Sequence, residues 1–210
     1  MRSPEIKSYS PPFELNKPIL SHGIARVLKL DAKGYHEGDI IAGPISIAQY
    51  STRVIEPNTH IRKVDTGAPD VRDNIGALGM PGLTAYASLY EVDKPKKGET
   101  IFISSAAGAV SQIVGQIVGH ITKHEGLKVI GSVGSDDKLN LSLKLSFDGG
   151  FNYKKEKPSE ALKRLSPDSI DIYYENVGGE QLEAALANMN SFGRIVASGM
   201  ISQYSLPPEK

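Results

Sequence analysis

Two short stretches carry residues whose types and spacing could do chemistry. The first is Ala106-Ala107-Gly108-Ala109-Val110-Ser111, inside ETIFISSAAGAVSQIVGQIVGHITKHEG at 99–126. A β-branched apolar run enters a turn of small residues, and an amphipathic stretch leaves it. Small side chains let a phosphate reach the backbone, and the N-terminus of a helix offers N–H groups to bind it. Gly108 falls where that approach is closest. Ser111 stands where the last glycine of such a turn is expected; that position serves helix-to-strand packing, and a hydroxyl there can bond the backbone of the preceding turn. The pattern predicts a cradle for a dinucleotide pyrophosphate, although a plain strand-turn-helix has the same outline.

The second stretch is LKVIGSVGSDDK, 127–138. An NAD site places Asp or Glu at the end of the second strand, to bond the ribose hydroxyls. Counting puts that position near Ser132 or Val133, where there is no acid, and Lys138 follows. A carboxylate would repel a 2′-phosphate, whereas small residues and a cation accept it. The stretch therefore predicts NADP(H) over NAD. A plainer reading has Ser135 capping the next helix, Asp136 and Asp137 facing its dipole and Lys138 as a surface charge. Asp136 could also serve NAD by reaching back.

These residues need elements to position them. Candidate strands are TIFISSA, LKVIGSV, GGFNY, IDIYYENV and RIVASGMI; candidate helices are AVSQIVGQIVGHITKH, SDDKLNLSLKL, SEALKRL and GEQLEAALANM. Continuous apolar strands alternating with helices predict an α/β fold, a doubly wound parallel sheet covered on both faces. Gly115 and Gly119 predict close packing of the first helix on that sheet. Upstream, GIARVLKL and DIIAGPISIAQYSTRVI read as short strands, with Gly38-Asp39 as a turn feeding the second. Residues 70–92 read as helices interrupted at Gly79 to Gly82, and residues 1–20 as a loop or extended arm. The domain boundary is expected between residues 65 and 85, giving a partial β-rich substrate domain over 1–75 and a cofactor domain over 76–210.

Composition narrows the function classes. Lys plus Arg and Asp plus Glu are 24 each, so no single-sign field steers the chain to nucleic acid or an anionic membrane. The absence of cysteine removes disulfides, thiolate nucleophiles and cysteine-ligated zinc. His22, His36, His60, His120 and His124 have no ligand spacing, so no metal site is expected. No apolar run spans a bilayer and Met1 to Leu20 has no signal-peptide core, which predicts a soluble cytoplasmic protein.

The motifs GMPGLTAY (79–86), AAGAV (106–110), VIGSVGSDDK (129–138), FDGGFNYKKE (147–156), YYENVGGE (173–180) and FGRIVASGMISQY (192–204) together resemble the medium-chain dehydrogenase/reductase superfamily. The likeness is to its zinc-independent branch of prostaglandin reductases and alkenal double-bond reductases. It implies a Rossmann-type sheet preceded by part of a GroES-like β-rich domain. It further implies Gly108, Ala109, Val110 and Ser111 at the pyrophosphate, Lys138 and Tyr153 at the 2′-phosphate end, and Asn176 near the ribose. Ser198, Gly199, Met200, Ile201, Ser202, Gln203 and Tyr204 would run beside the nicotinamide, with Met80 and Thr84 near its carboxamide. Tyr204 is the candidate to reach substrate.

The resemblance implies NADPH-dependent reduction of the C=C bond of an enal or enone: hydride to the β-carbon, then protonation of a hydrogen-bonded enolate. A quinone reductase and a secondary-metabolism enoyl reductase are neighbouring enzyme readings. Full-length relatives are expected to be homodimers. Relatives of this kind extend further at both ends, so the chain reads as the middle of such an enzyme. About five of the six strands are expected, with RIVASGMI as an apolar open edge. Weak or absent turnover by the 210 residues alone is expected, and a non-catalytic dinucleotide-binding fragment is the reading from a different class.

Overall fold

A computed structural model of the chain describes residues 12–56, 59–67 and 70–206, with backbone only at 120–125. Most of the arm expected at 1–20, and the side chains of His120 and His124, lie outside the described residues. The chain divides into two compact units, Met1–Met80 and Pro81–Lys210.

In the first unit, β1 (Leu20–Arg26) and β2 (Ile40–Ser46) pair antiparallel, and β3 (Arg62–Lys63) adds to the other side of β2. The turn into β2 forms as its residues demand. Gly38 takes φ 89°, and the Asp39 carboxylate accepts from the His36 N–H at 2.8 Å and pairs with Lys63 at 2.7 Å. A short 3₁₀ helix, Val71–Ile75, is capped by Asp70, which accepts from the Arg72 N–H. The Arg62 guanidinium donates to Asn74 Oδ1 and to the Leu78 carbonyl, tying β3 to this helix and to the turn after it.

The second unit opens with α1 (Met80–Ala87), whose first residue closes the first unit, and a π-helical turn, Ser88–Asp93. The helix break falls earlier than the glycines suggest. Leu78 N–H donates to the Asp73 carbonyl and Gly79 N–H to that of Gly76, closing the turn before α1 and leaving Gly82 buried inside the helix.

From there strands and helices alternate: β4 (Thr100–Ile103), α2 (Ala109–Glu125), β5 (Lys128–Val133), α3 (Asp136–Lys144), β6 (Gly149–Asn152), α4 (Pro158–Leu165), β7 (Ile170–Glu175), α5 (Glu180–Leu186) and β8 (Met189–Ala197). The five strands are parallel in the order β6-β5-β4-β7-β8, the doubly wound arrangement expected. Alternation along the strands splits the core in two. Ile101, Ile103, Val129, Val133, Ile172 and Tyr174 face Val114 and Val118 of α2, with Ala85 and Leu89; Phe102, Ile130 and Tyr173 face Ala161 and Leu162 of α4 and Ala184 and Ala185 of α5.

Several boundaries differ from the sequence reading, among them the two upstream strands, which run Leu20–Arg26 and Ile40–Ser46, and the ends of β4, α5 and β8. β4 stops at Ile103 because Ser104 turns into the bend. α5 stops at Leu186 because the Asn188 carbonyl accepts the Ile170 N–H, starting the β8 pairing at Met189. β8 stops at Ala197 because Ser198 and Gly199 both donate to the Glu175 carbonyl. Gly115 and Gly119 do permit close packing, but against the segment before β6: a Cβ would lie 2.0 Å from Phe147 Cε2 or 2.4 Å from Ser146 Cβ. β8 is the edge of the described sheet, with Phe192 99% exposed on it.

Candidate cofactor site

Strand order reverses on either side of β4, since β5 lies on one flank and β7 on the other. In such sheets the crevice outside the C-terminal ends of the two diverging strands is where ligands bind. The bend after β4 occupies it. Ser105, at φ 54°, and Ala106 are held down by β5: Ser105 N–H donates to Ser132 Oγ at 3.3 Å and Ala106 N–H to the Ser132 carbonyl at 2.8 Å. Gly108 N–H donates to the Ser105 carbonyl at 2.7 Å, and its own carbonyl accepts from Gln112 N–H at 2.9 Å. Gly108 thus caps α2, and the N–H groups of Ala109, Val110 and Ser111 have no acceptor inside the helix. Among the described residues no side chain accepts from them, and Ala109 is exposed. The helix end is open, with the positive end of its dipole facing out. A Cβ on Gly108 would lie 3.1 Å from the Ser105 carbonyl, so the tight turn itself also favours glycine there.

Ser111 is buried, and its hydroxyl donates to the Ser104 carbonyl at 3.2 Å, the bond to the preceding turn that the sequence suggested. It also accepts from Asn176 Nδ2 at 3.2 Å, which the sequence did not suggest. Asn176 Nδ2 reaches the Ser104 carbonyl too, at 3.0 Å, and Asn176 N–H donates to Ser104 Oγ at 2.8 Å. Ser104, Ser111 and Asn176 therefore tie the two loops of the crevice together. No described residue donates to Asn176 Oδ1, which leaves that atom as an acceptor.

Glu175 lies beneath this cluster, 2% exposed. Its Oε1 accepts from the Tyr173 hydroxyl at 2.9 Å and from the N–H groups of Val177 at 2.6 Å and Gly178 at 2.8 Å. Burial pushes the Tyr173 hydroxyl above the ordinary phenol range, so it stays a donor. Gly178 and Gly179 then take φ 79° and 56°, a turn that L side chains resist. A Cβ on Gly178 would also strike Gln203 Cγ at 2.9 Å.

That contact belongs to the segment leaving β8. Ile201 N–H donates to the Asn176 carbonyl at 3.1 Å and Ser202 N–H to that of Val177 at 2.9 Å, so 198–203 is laid along the Glu175–Gly178 turn. Tyr204 is exposed, and its hydroxyl accepts from the Met200 N–H at 2.9 Å, a bond that does not use its O–H.

At the far end of β5, Ser135 caps α3, accepting from Lys138 N–H at 3.4 Å. The Lys138 side chain is exposed and has no ion-pair partner among the described residues. The ring of Tyr153 lies against Gly134: a Cβ there would be 3.0 Å from its hydroxyl. Asp136 does not reach back toward β5. Its carboxylate accepts from Asn152 Nδ2 at 2.9 Å and pairs with Lys155, and the Asn152 bond, then Lys155, hold its carboxyl below the usual range.

The structure thus brings Gly108–Ser111, Asn176 and Ser198–Tyr204 to one crevice, with Lys138 and Tyr153 at the end of the neighbouring strand. Thr84 is half-buried in α1, one residue before the core residue Ala85; Met80 is exposed at the end of the first unit. Sequence reasoning passed over Ser104 and Glu175, and took Ser132 only as a position without an acid, not as the anchor of the bend. Polar residues ending otherwise apolar strands were the available signal. Among the described residues no cluster of three or more His, Cys, Asp or Glu could hold a metal ion.

Residues 114–209 match a family model described as zinc-binding dehydrogenase. The chain is 50% identical over 214 residues to the NADP-dependent oxidoreductase RED1 of Cochliobolus heterostrophus, covering 100% of this chain and 59% of that protein. It is 46% identical over 201 residues to a 2-alkenal reductase (NADP(+)-dependent) of Nicotiana tabacum, covering 95% and 57%. The crystal structure of CurA from Vibrio vulnificus in complex with NADPH superposes with a TM-score of 0.85 at 30% identity, covering 98% of this chain and 60% of that one. The chain thus spans less than two thirds of each of these relatives. In sequence and in fold alike, over the part it covers, it is similar to these oxidoreductases, in keeping with the resemblance to the medium-chain dehydrogenase/reductase superfamily.

Proposed function

We propose that the chain binds NADP(H) and serves an oxidoreductase that reduces the C=C bond of α,β-unsaturated aldehydes or ketones without zinc. The observation that carries this reading is the open N-terminal end of α2, set in the crevice between β4 and β7 beside a bend of small residues. The N–H groups of Ala109, Val110 and Ser111 bind the pyrophosphate. Asn176 Oδ1 accepts from a ribose hydroxyl, while its Nδ2 stays on Ser104 and Ser111. Lys138 and Tyr153 take the 2′-phosphate, and the 198–204 segment borders the nicotinamide.

NADPH, when bound, supplies the hydride that an enal or enone takes up at its β-carbon, and a proton at the α-carbon completes the reduction. The chain's own part is orientation and electrostatics. The O–H of Tyr204, not used in the bond from Met200 N–H, donates to the substrate oxygen. Zinc independence is supported by composition: without cysteine, no cysteine-ligated zinc site can be assembled from these residues. The names of the tobacco and Cochliobolus relatives support NADP(H) and, for the former, the alkenal class.

Thermal unfolding with NADPH, with NADH and with neither tests the cofactor. At about a hundredfold excess over Kd, a ligand bound only to the folded state stabilises it by about 2.7 kcal/mol. A rise with NADPH and a smaller one with NADH is expected; no rise with either refutes the reading. Loss of NADPH absorbance with an enal, an enone or a quinone then distinguishes the substrate classes.

A further inference from the structure

We propose that Asn152 and Lys155 form a latch that holds the Asp136 carboxylate away from the 2′-phosphate of the cofactor and so set the preference for NADPH over NADH. The inference rests on the NADP(H) reading and adds to it two residues that bond Asp136.

Asp136 is the first residue of α3, directly after the cap Ser135 and two residues before Lys138. A carboxylate at that point has two natural uses, both adverse to NADPH: it repels a 2′-phosphate, or it accepts from a free 2′-hydroxyl as NAD sites require. Here both of its oxygens are occupied from the side. Asn152 Nδ2 donates to Oδ1 at 2.9 Å, and Lys155 Nζ pairs with Oδ2.

The latch is built, not incidental. Asn152 is 8% exposed, and its orientation is set from both ends, because its Oδ1 accepts from Lys154 N–H at 3.1 Å. Its carbonyl accepts from the N–H groups of Lys155 at 2.9 Å and Glu156 at 3.1 Å, a tight turn that returns Lys155 to Asp136. Tyr153, between them, is the residue whose ring lies against Gly134. One turn after β6 thus supplies an aromatic wall for the adenosine end and the groups that restrain the neighbouring acid. An exposed ion pair contributes little to stability, so stability alone does not account for this arrangement. The Asp136 carboxyl is held below its usual range, so the latch stays closed through neutral pH. Two cations then divide the work: Lys155 occupies Asp136, and Lys138 is left to the ligand.

The test measures dissociation constants of the full 210-residue chain for NADPH and NADH at low salt. The unmodified chain is expected to prefer NADPH. Lys155→Met, at an exposed position that leaves the fold intact, releases Asp136 Oδ2 and uncovers its charge, and weakens NADPH about tenfold while moving NADH less than about twofold. Adding Asp136→Asn restores NADPH binding to within about twofold of the unmodified chain. Added salt shrinks the Lys155→Met effect. Asn152→Ala, checked for folding by circular dichroism, is expected to follow the same pattern. An unchanged NADPH constant in Lys155→Met, equal weakening of both cofactors, or no rescue by Asp136→Asn overturns the latch and leaves the NADP(H) reading standing. Equal binding of both cofactors by the unmodified chain removes that reading, and the latch with it.

Discussion

Substituting Gly115 by alanine sets two effects of opposite sign against each other. Gly115 lies inside α2, where alanine is favoured over glycine by about 1 kcal/mol. Propensity alone therefore predicts stabilisation. The Cβ, however, would lie 2.0, 2.4 and 3.0 Å from Cε2, Cζ and Cδ2 of Phe147, where ordinary carbon contacts are about 3.5–4.0 Å. The ring cannot retreat, because on its other side a Cβ at Gly131 would already come within 2.9 Å of Cδ1 and Cε1. Phe147 is a buried wedge between two glycines, one on α2 and one on β5. Overpacking of this kind costs about 3 kcal/mol, at the upper end of the usual range. The net expectation is a loss of about 2 kcal/mol, read as a lower urea midpoint at unchanged slope. In a Phe147→Leu background the clash is relieved, and the same substitution should be neutral or stabilising. A Gly115→Ala chain at least as stable as the original, or one equally destabilised with leucine at 147, would refute the wedge argument.

Ser111→Gly should not improve the site. It removes the bonds to Ser104 and Asn176, so NADPH affinity should fall about threefold and stability by about 1 kcal/mol in urea titrations; tighter binding would contradict the cross-link. Glu175→Ala leaves the buried Tyr173 hydroxyl and Gly178 N–H, and the half-buried Val177 N–H, without their acceptor, so a loss of about 3 kcal/mol is expected by the same assay, and less than about 1 kcal/mol would contradict it. Around Arg194, which bonds both Asp93 and Glu99, two carboxyls are shifted in opposite directions. Arg194 holds Glu99 below its ordinary value, so Glu99's contribution is present at neutral pH and lost as pH falls through the folded value. Burial raises Asp93 despite Arg194, so its penalty is present at neutral pH and relieved as pH falls. Glu99→Gln should therefore flatten the decline of the urea midpoint between neutral and about pH 3, and Asp93→Asn should steepen it; changes of the same sign would refute the assignment.

The alternation of apolar strands and helices was legible because each strand of a covered parallel sheet is apolar on both faces, as IFI at 101–103 and VI at 129–130 are. The small-residue bend and the Ser135 cap were legible for a similar reason: each arises from local backbone demands. The ends of β8 and α5 were not. They depend on which carbonyl takes up the N–H groups of Ile170, Ser198 and Gly199, and those partners lie on distant segments. The restraint of Asp136 was equally hidden. Its sequence neighbours allow capping, repulsion or ribose binding, and the choice is made by Asn152 at the end of the next strand and Lys155 just beyond it.

Sequence alone determined the layered α/β architecture, the position of the open helix end and the absence of any cysteine chemistry, because these depend on residue type and short-range spacing. Tertiary structure decided what the polar residues at the strand ends do. Ser104, Ser111, Asn176 and Glu175 are separated by up to 72 positions along the chain yet bond one another directly, since parallel strands bring equivalent ends together however much chain lies between them.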